Sequence, residues 1–200
     1  WQFGDGGAAT GLCIVTHAYA AAGVYPLVLQ AWNADTSVAV TADIHVVSGY
    51  TNYVSLDGSH TPPFESWVTA ATNIQTAIDA NPFAGGVTLV AAGTYSEGST
   101  AWYGASNRIV LNKPITVAGT NALWTVIQGQ GPVGPGAVRC AYVGRGCLSG
   151  VTLSGGFVRN TGDAYLERSG GGALCEGSGV ISVCLIGGNV AGESGGGVQL

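Results

Sequence analysis

Charged residues are scarce in this sequence of 200 residues: they make up 8% of the chain, against roughly 25% in ordinary globular proteins. The six basic residues are scattered, so the clustered cationic footprint of a nucleic-acid-binding protein is missing and we predict no nucleic-acid partner. Intrinsic disorder requires low hydrophobicity and high net charge. It is excluded because 46% of the residues are hydrophobic and the formal net charge is −5.

Long apolar runs and methionine are also missing. No apolar stretch approaches the ~20 residues that span a bilayer, so we predict no membrane span in this sequence. The chain opens on Trp1 and stops at Leu200, just after a repeat begins. We therefore expect a piece of a longer open reading frame, for which the lack of a signal peptide is no argument against secretion.

Cysteine patterns that bind metals are absent too. The five cysteines lie at positions 13, 140, 147, 175 and 184. Their number is odd, and neither a C-x-x-C pair nor a Cys/His cluster occurs. We therefore predict no zinc site, and no other metal or cofactor.

Glycine, in contrast, is abundant and recurs with a period. The triplet at residues 170–172 is repeated at residues 195–197, 25 positions further on. Around the triplets, apolar runs of three to five residues alternate with turns, and no helix separates them. This pattern rules out βαβ units and favours stacked coils. We predict a parallel β-helix over residues 85–200, truncated at its C-terminal end.

The segment at residues 49–84 contains the one convincing helix. Thr72-Asn73-Ile74-Gln75 matches a capping box. The apolar residues of one stripe are Ile74, Ala77 and Ile78. Because an open solenoid end exposes apolar residues and strand edges, we predict that residues 49–84 form a linker and a helical cap, with a short strand at Tyr53–Leu56.

The first 48 residues show short apolar runs separated by turns about every ten residues. The predicted strands are Leu12–Val15, Val24–Trp32 and Val38–Val47. This spacing is typical of an antiparallel β-sandwich, and we predict a truncated one over residues 1–48. Pro26 has no N–H to donate, so we expect it at a sheet edge or a bulge.

A set of separated motifs runs through the same residues: Trp1-x-Phe3-Gly4-Asp5-Gly6, His17-x-Tyr19, Gly23-x-Tyr25 and Trp32-Asn33. In this order they resemble the PKD domain, an immunoglobulin-like module. The resemblance implies an extracellular spacer or a carbohydrate-associated module, usually not an enzyme. It also implies that His17 and Tyr19 pack and donate hydrogen bonds, and that Asp5 is a turn residue.

A second set of motifs lies further along the chain: Asn73–Ala80, Gly93–Glu97, Lys113–Val117 and Thr125–Gly129. Together they resemble the cap and first coils of the right-handed parallel β-helix, or pectin-lyase-like, superfamily. The Gly-Gly-Gly coils resemble large bacterial surface proteins that combine such a helix with PKD modules. The resemblance implies an all-β chain, a truncated sandwich followed by a right-handed parallel β-helix solenoid with one short capping helix, secreted or at the cell surface.

Alignment of neighbouring coils predicts which side chains stack. Val138–Cys140 aligns with Ala173–Cys175, and Leu148–Leu153 aligns with Ile181–Ile186. The first alignment places Cys140 and Cys175 on adjacent strands, within reach of a disulfide. We favour buried free thiols over the disulfide, because cysteine behaves as a small hydrophobe in an inward ladder.

A charged insertion interrupts the 25-residue period between Phe157 and Ser169. Its charged residues are Arg159, Asp163, Glu167 and Arg168. Loops on a rigid scaffold commonly carry binding sites, so these four residues are our candidate binding residues. The alternative is a solvated loop without function.

No catalytic set can be assembled from the sequence. Gly93-x-Tyr95-x-Glu97 matches a signature of pectin methylesterases, but their downstream Gln and Asp motifs are missing, and the motif also occurs as a plain β-helix turn. A glycosidase needs two carboxyl groups across the scissile bond, and the acids after residue 85 do not pair in this way. We therefore predict no catalytic residue.

Two functions remain. The first is a non-catalytic surface or secreted scaffold, structural, adhesive or glycan-binding, with polysaccharides or other surface glycans as candidate partners. The second is the N-terminal portion of a polysaccharide-active enzyme whose catalytic coils lie beyond Leu200.

Overall fold

The computed structural model describes residues 1–46, 49–82 and 84–200. Strands make up 45% of the chain and helix 4%. The chain divides into two compact units, Trp1–Ser48 and Gly49–Leu200.

The N-terminal unit is built on one antiparallel hairpin of β1 (Gly23–Trp32) and β2 (Ser37–Val46). The register runs from Gly23 opposite Val46 to Trp32 opposite Ser37. Asn33 makes the turn, because its Oδ1 accepts the backbone N–H groups of Asp35 and Thr36, each at 2.9 Å. The two strands predicted here are confirmed, except that Val47 lies outside the described residues.

The predicted strand Leu12–Val15 is wrong. This segment is irregular, and Leu12 and Ile14 are 59% and 87% exposed. No described element covers the run, so its apolar residues gain nothing from pairing. Instead Gln2 bridges the outer edge of β1, exchanging two backbone hydrogen bonds of 2.8 Å with Val28. Pro26 lies on this same edge strand, as expected.

The second unit is a parallel β-solenoid of about four turns, which confirms the predicted fold class. Its strands are β3 (Thr51–Val54), β4 (Val87–Val90), β5 (Gly93–Tyr95), β6 (Thr100–Trp102), β7 (Ala105–Gly119), β8 (Thr125–Gln128), β9 (Val138–Ser149), β10 (Thr152–Ser154), β11 (Ala173–Ser182), β12 (Leu185–Gly187) and β13 (Val198–Gln199). One sheet has the order β13-β11-β9-β7-β4-β3, with β6 pairing antiparallel to β7. The other has the order β12-β10-β8-β5.

Several strands are longer than the predicted three to five residues. The apolar runs at residues 108–111 and 115–119 belong to one strand, β7, which has 15 residues. Register shifts occur on either side of Asn112, so the strand continues past the polar corner as a bulge instead of ending there. The first strand, β3, begins two residues before the predicted one.

The glycine repeat is confirmed as a coil corner. Gly170 and Gly195 have φ of 67° and 61°, a region that glycine adopts without steric cost. Ala173 pairs in register with Val198, 25 positions later. The same backbone conformation therefore recurs one coil further along the solenoid.

Of the two predicted alignments between coils, one is confirmed and one is wrong. Leu148 pairs with Ile181, and Leu153 with Ile186, as predicted. The stacking of Cys140 on Cys175 is wrong, because Cys175 pairs with Val143. The coil spacing at this point is 32 residues, from Ala141 to Ala173, which displaces the two cysteines from one another. Cys140 and Cys175 are buried and free, as we favoured, and the other three cysteines are free as well.

The helix α1 (Ile74–Ala80) buries the predicted stripe of Ile74, Ala77 and Ile78 in the solenoid core. The capping box is wrong. Asn73 is the N-cap, and its Oδ1 accepts the Thr76 N–H at 3.2 Å. Thr72 is occupied elsewhere, with its Oγ1 2.8 Å from Nδ1 of His60.

Gln75 covers a strand edge instead of capping the helix. Its Oε1 accepts the Val110 N–H at 2.7 Å, and its Nε2 donates to the Val110 carbonyl at 3.3 Å. The side-chain amide thus pairs with β7 as a neighbouring strand would. Through this contact α1 covers the edge of β7 at Val110, whose backbone N–H and C=O groups would otherwise lack a partner.

Candidate functional site

The charged loop predicted as a binding surface is held together by its own charges. Arg159 forms an ion pair with Glu167 at 3.0 Å, and Arg168 forms one with Glu193 at 2.7 Å. Oδ1 of Asp163 accepts the backbone N–H groups of two following residues at 2.9 and 2.8 Å. The four predicted residues therefore shape the loop, and direct contact of any of them with a ligand stays a prediction.

Arg139 anchors this loop from inside the protein. Its side chain is 1% exposed, and its Nη2 donates to the carbonyls of Leu166 and Ser169 at 2.7 and 2.9 Å. Its Nε donates to the Gly170 carbonyl at 2.9 Å and its Nη1 to Oδ1 of Asn107 at 2.9 Å. Burial lowers the pKa of Arg139 to about 10, so the guanidinium is still charged at neutral pH.

The β6–β7 hairpin stands next to the loop. Its tip is Tyr103 and Gly104, with φ of 47° and 79°. The Gly104 carbonyl accepts a hydrogen bond of 2.8 Å from Nη1 of Arg159. A Cβ on Gly104 would lie 2.7 Å from the carboxyl carbon of Glu167, so a larger residue would displace the Glu167 carboxylate and strain the backbone at this positive φ. The hairpin and the loop thus form one continuous surface.

Aromatic side chains meet on the outer face of the sheet beneath the hairpin. Tyr142 stands in register between Val110 and Leu174. Its ring centroid is 5.7 Å from that of Trp102 and 6.0 Å from that of Tyr103. Tyr103 is 55% exposed. We call Trp102, Tyr103 and Tyr142, with the neighbouring Glu176, the outer aromatic cluster.

Glu176 fixes the phenol of Tyr142 in this cluster. The Tyr142 hydroxyl donates a hydrogen bond to Oε1 of Glu176. Burial, and then this hydrogen bond, raise the pKa of Tyr142 to about 12, although the indole N–H of Trp102 acts in the opposite direction. That N–H has no partner of good geometry. Tyr142 is therefore neutral at physiological pH and acts as a hydrogen-bond donor, not as a base.

A groove of about 270 Å³ opens beside Trp102, between α1 and β7. Val110 and Ile78 lie at its floor but are buried, so Trp102 supplies most of the accessible apolar surface. The polar side chains that line it include Asp79, Thr100, Asn112 and Lys113. The groove thus combines one indole with carboxylate, hydroxyl and amide groups.

This cluster and groove were not predicted from the sequence. A signal was present, since Trp102-Tyr103 is followed by Gly104 in a chain where aromatic residues make up 8%, and exposed aromatics at a turn are typical of contact surfaces. Tyr142 and Glu176 gave no such signal, because 34 positions separate them in the sequence.

The residues named in the other motifs have structural contacts. His17 stacks on Phe3 at 4.0 Å, and its Nε2 lies 2.7 Å from Oδ2 of Asp5. Tyr19 donates to the Phe3 carbonyl at 3.0 Å. Oδ1 of Asp5 accepts the Gly7 N–H at 2.9 Å. These contacts confirm the packing and turn roles expected for the three residues.

The esterase-like motif has a structural contact as well. Tyr95 is 4% exposed and donates to the Ala91 carbonyl at 3.0 Å, which fits the plain-turn interpretation. Across residues 1–46, 49–82 and 84–200, no group of three or more His, Cys, Asp or Glu side chains is placed to hold a metal ion. No helix in the described part of the chain is long and apolar enough to cross a membrane.

Comparison with known proteins places the first unit. Residues 1–46 match the model of the PKD domain family, and the β-solenoid follows this match in the chain. PKD domains are typically extracellular, and a secreted or cell-surface protein is consistent with this match. No curated protein and no solved structure matched the chain significantly.

Proposed function

We propose that this chain is part of a secreted or cell-surface β-helix protein that acts as a structural, adhesive or glycan-binding scaffold. The solenoid would have the right-handed coiling of the pectin-lyase-like superfamily that its motifs resemble. The part present here is not catalytic. The observation that carries the proposal is the outer aromatic cluster, a set of rigidly held rings on the face of a solenoid that follows a PKD segment.

The chemistry of the cluster suits a sugar ring. Pyranose rings have apolar C–H faces and hydroxyl edges, so they need flat apolar surface next to fixed hydrogen-bonding groups. Trp102 and Tyr103 supply the rings, and Glu176 supplies a carboxylate next to them. Because the strands beneath are fixed, little conformational entropy is lost when a glycan binds.

The acidic groups near the cluster support binding over catalysis. Glu176 accepts the Tyr142 hydroxyl, and Glu167 is paired with Arg159. A glycosidase needs one free acid and one free base on opposite sides of the bond. Carboxylates engaged in this way suit recognition.

A screen against immobilised polysaccharides, neutral and uronic, tests the proposal. We expect the labelled chain to bind at least one glycan without degrading it. Tyr103→Ala should weaken this binding several-fold. The control Trp124→Ala, at an exposed site elsewhere on the solenoid, should leave it unchanged. The absence of binding to every glycan would contradict the proposal. So would turnover of polygalacturonate, which would favour the enzyme.

A further inference from the structure

We propose that the groove between α1 and β7 is a subsite for one neutral pyranose unit of a glycan. This inference rests on the proposed function and adds the place and the class of sugar. The volume, about 270 Å³, lies below the ~300–1,000 Å³ of sites for drug-sized ligands. It therefore suits a single ring within a chain that continues outside the groove.

The lining matches both surfaces of a sugar. Trp102, which is partly exposed, presents apolar surface to a C–H face, and Val110 lies buried behind it. Asp79 and Asn112 are both exposed and stand at the rim. An ionised carboxylate has about four acceptor positions, and Asp79 uses Oδ1 for Nε2 of Gln75 at 2.9 Å. Acceptor positions remain for sugar hydroxyls, and the Asn112 amide offers both donor and acceptor.

The charges of the groove offset one another and do not favour an acidic sugar. Lys113 lines the groove, but its Nζ donates to the carbonyls of Ile78, Asp79 and Asn81 at 3.0, 2.8 and 3.2 Å. An ammonium group has three protons, so this one is committed to the C-terminal end of α1. The ammonium keeps its positive charge, which offsets the carboxylate of Asp79 in the same groove, so the groove has no free cationic donor and no net charge to attract a uronate.

Gln75 also lines the groove but is not available to a ligand. Both ends of its amide are committed to Val110 and Asp79. The groups free to select the sugar are therefore Asp79, Thr100 and Asn112, which are uncharged apart from the carboxylate. Neutral hydroxyls complement them better than a carboxyl group does.

Arg145 provides a way to test whether an acidic sugar binds instead. It is exposed and pairs in register with Asn112 on the neighbouring strand. If the occupant were a uronate, this guanidinium is the cation it would approach. The affinity for a neutral sugar ring should not depend on the charge of Arg145.

The experiment is a calorimetric titration of the whole chain with cellotetraose, mannotetraose, galactotetraose and tetragalacturonate. We expect at least one neutral probe to bind more tightly than tetragalacturonate. We expect Asn112→Ala and Asp79→Ala each to weaken it about five- to tenfold, the loss of one hydrogen bond. We expect Trp102→Ala to weaken it at least tenfold, and Trp102→Phe, which keeps an aromatic ring in the cluster, to weaken it less.

The matched controls are Trp124→Ala, at a Trp that is 66% exposed elsewhere on the solenoid, and Arg145→Ala. Neither should change the affinity for the neutral probe. Preferential binding of tetragalacturonate that is lost in Arg145→Ala would overturn the inference. Unchanged binding in the Asn112 and Asp79 variants would also overturn it, while leaving the proposed function intact. No binding of any glycan, in this titration and in the screen, would overturn both.

Discussion

In the N-terminal unit, Phe3 is the one hydrophobic side chain among residues 1–46 that is buried, at 6% exposure, whereas the solenoid encloses a continuous core in which Ile109, Leu148 and Leu153 are fully buried. Both units consist of strands, and the difference is in what covers them. The β1–β2 hairpin has exposed or partly exposed residues throughout. The coils of the solenoid cover one another, except that the last strand of the smaller sheet, β12, is exposed.

The difference in burial between the two units indicates which of them is stable enough to hold a rigid binding surface. An isolated two-stranded hairpin is marginally stable in water, because it orders its backbone without burying enough apolar surface. The solenoid repeats one favourable interface along its axis. A binding surface that must be held rigid therefore belongs on the solenoid, and the hairpin side of the chain is the more easily perturbed.

The largest expected effect is at Arg139, which anchors the charged loop. Arg139→Ala leaves buried acceptors at Asn107, Ser169 and Gly170 without their donor. We expect the solenoid to lose ~3–5 kcal/mol of stability in urea unfolding, as for other broken buried charge networks. Arg145→Ala, at an exposed arginine of the same strand, is the control and should cost less than ~0.5 kcal/mol. Equal losses in the two variants would contradict the anchoring role.

Truncation of one leucine in each unit tests the difference in burial between the units. Leu148→Ala, at a fully buried position, should destabilise the solenoid by ~2–5 kcal/mol, because it removes buried methyl groups and leaves a cavity. Leu27→Ala, at a partly exposed position of β1, should cost about 1 kcal/mol or less in the unfolding of its own unit. If the Leu27 variant were the more damaging, the N-terminal unit would have a core that the burial pattern does not show.

The edge contact of Gln75 predicts a smaller and local effect. Gln75→Ala leaves the Val110 N–H without its side-chain acceptor, at a cost of ~1–2 kcal/mol. Amide hydrogen exchange at Val110 should accelerate about five- to thirtyfold. Exchange at Leu148, which pairs with its neighbouring strands, should stay nearly unchanged and serves as the internal control. Unaltered exchange at Val110 would show that α1 does not protect the edge through this residue.

The smallest effect concerns pH in the N-terminal unit. The hydrogen bond with His17, and then that from the Gly7 N–H, lower the pKa of Asp5. A carboxyl group whose pKa is lowered by folding stabilises the folded state at pH values above its unfolded pKa of ~3.9. This stabilisation is lost as the pH falls through the pKa of the folded state. The Gly7 amide signal in NMR should therefore titrate below pH ~4, and Asp5→Asn should abolish that titration. A midpoint at or above ~4 would contradict the contact.

The fold was predictable because the features that specify a solenoid are local. Glycine corners such as Gly170 and the apolar run at Leu148 are visible in the sequence, and both took their predicted places. The register of Cys140 was not predictable, since the spacing between stacked residues varies from 25 to 36. Cys140 and Cys175 lie 35 positions apart, whereas the strands stack with a spacing of 32 at Ala141 and of 33 beyond a register shift after Cys175.

The candidate site was predictable only in part, for a physical reason. The charges of Arg159 and Glu167 stood out in a chain poor in charge, but their mutual ion pair depends on a loop conformation that no local pattern specifies. The contacts of Gln75 with Val110 and of Tyr142 with Glu176 join positions 35 and 34 residues apart. Such contacts arise from coil stacking, so they become visible only once the register is known.

The most direct test of the account compares a tryptophan from each unit. Trp32 is 65% exposed on the hairpin, and Trp102 belongs to the outer aromatic cluster of the solenoid. In a titration with the glycan that binds best in the screen, we expect Trp102→Ala to lose at least tenfold in affinity and Trp32→Ala to bind as the unaltered chain does. Loss of binding in Trp32→Ala, with retention in Trp102→Ala, would contradict this expectation.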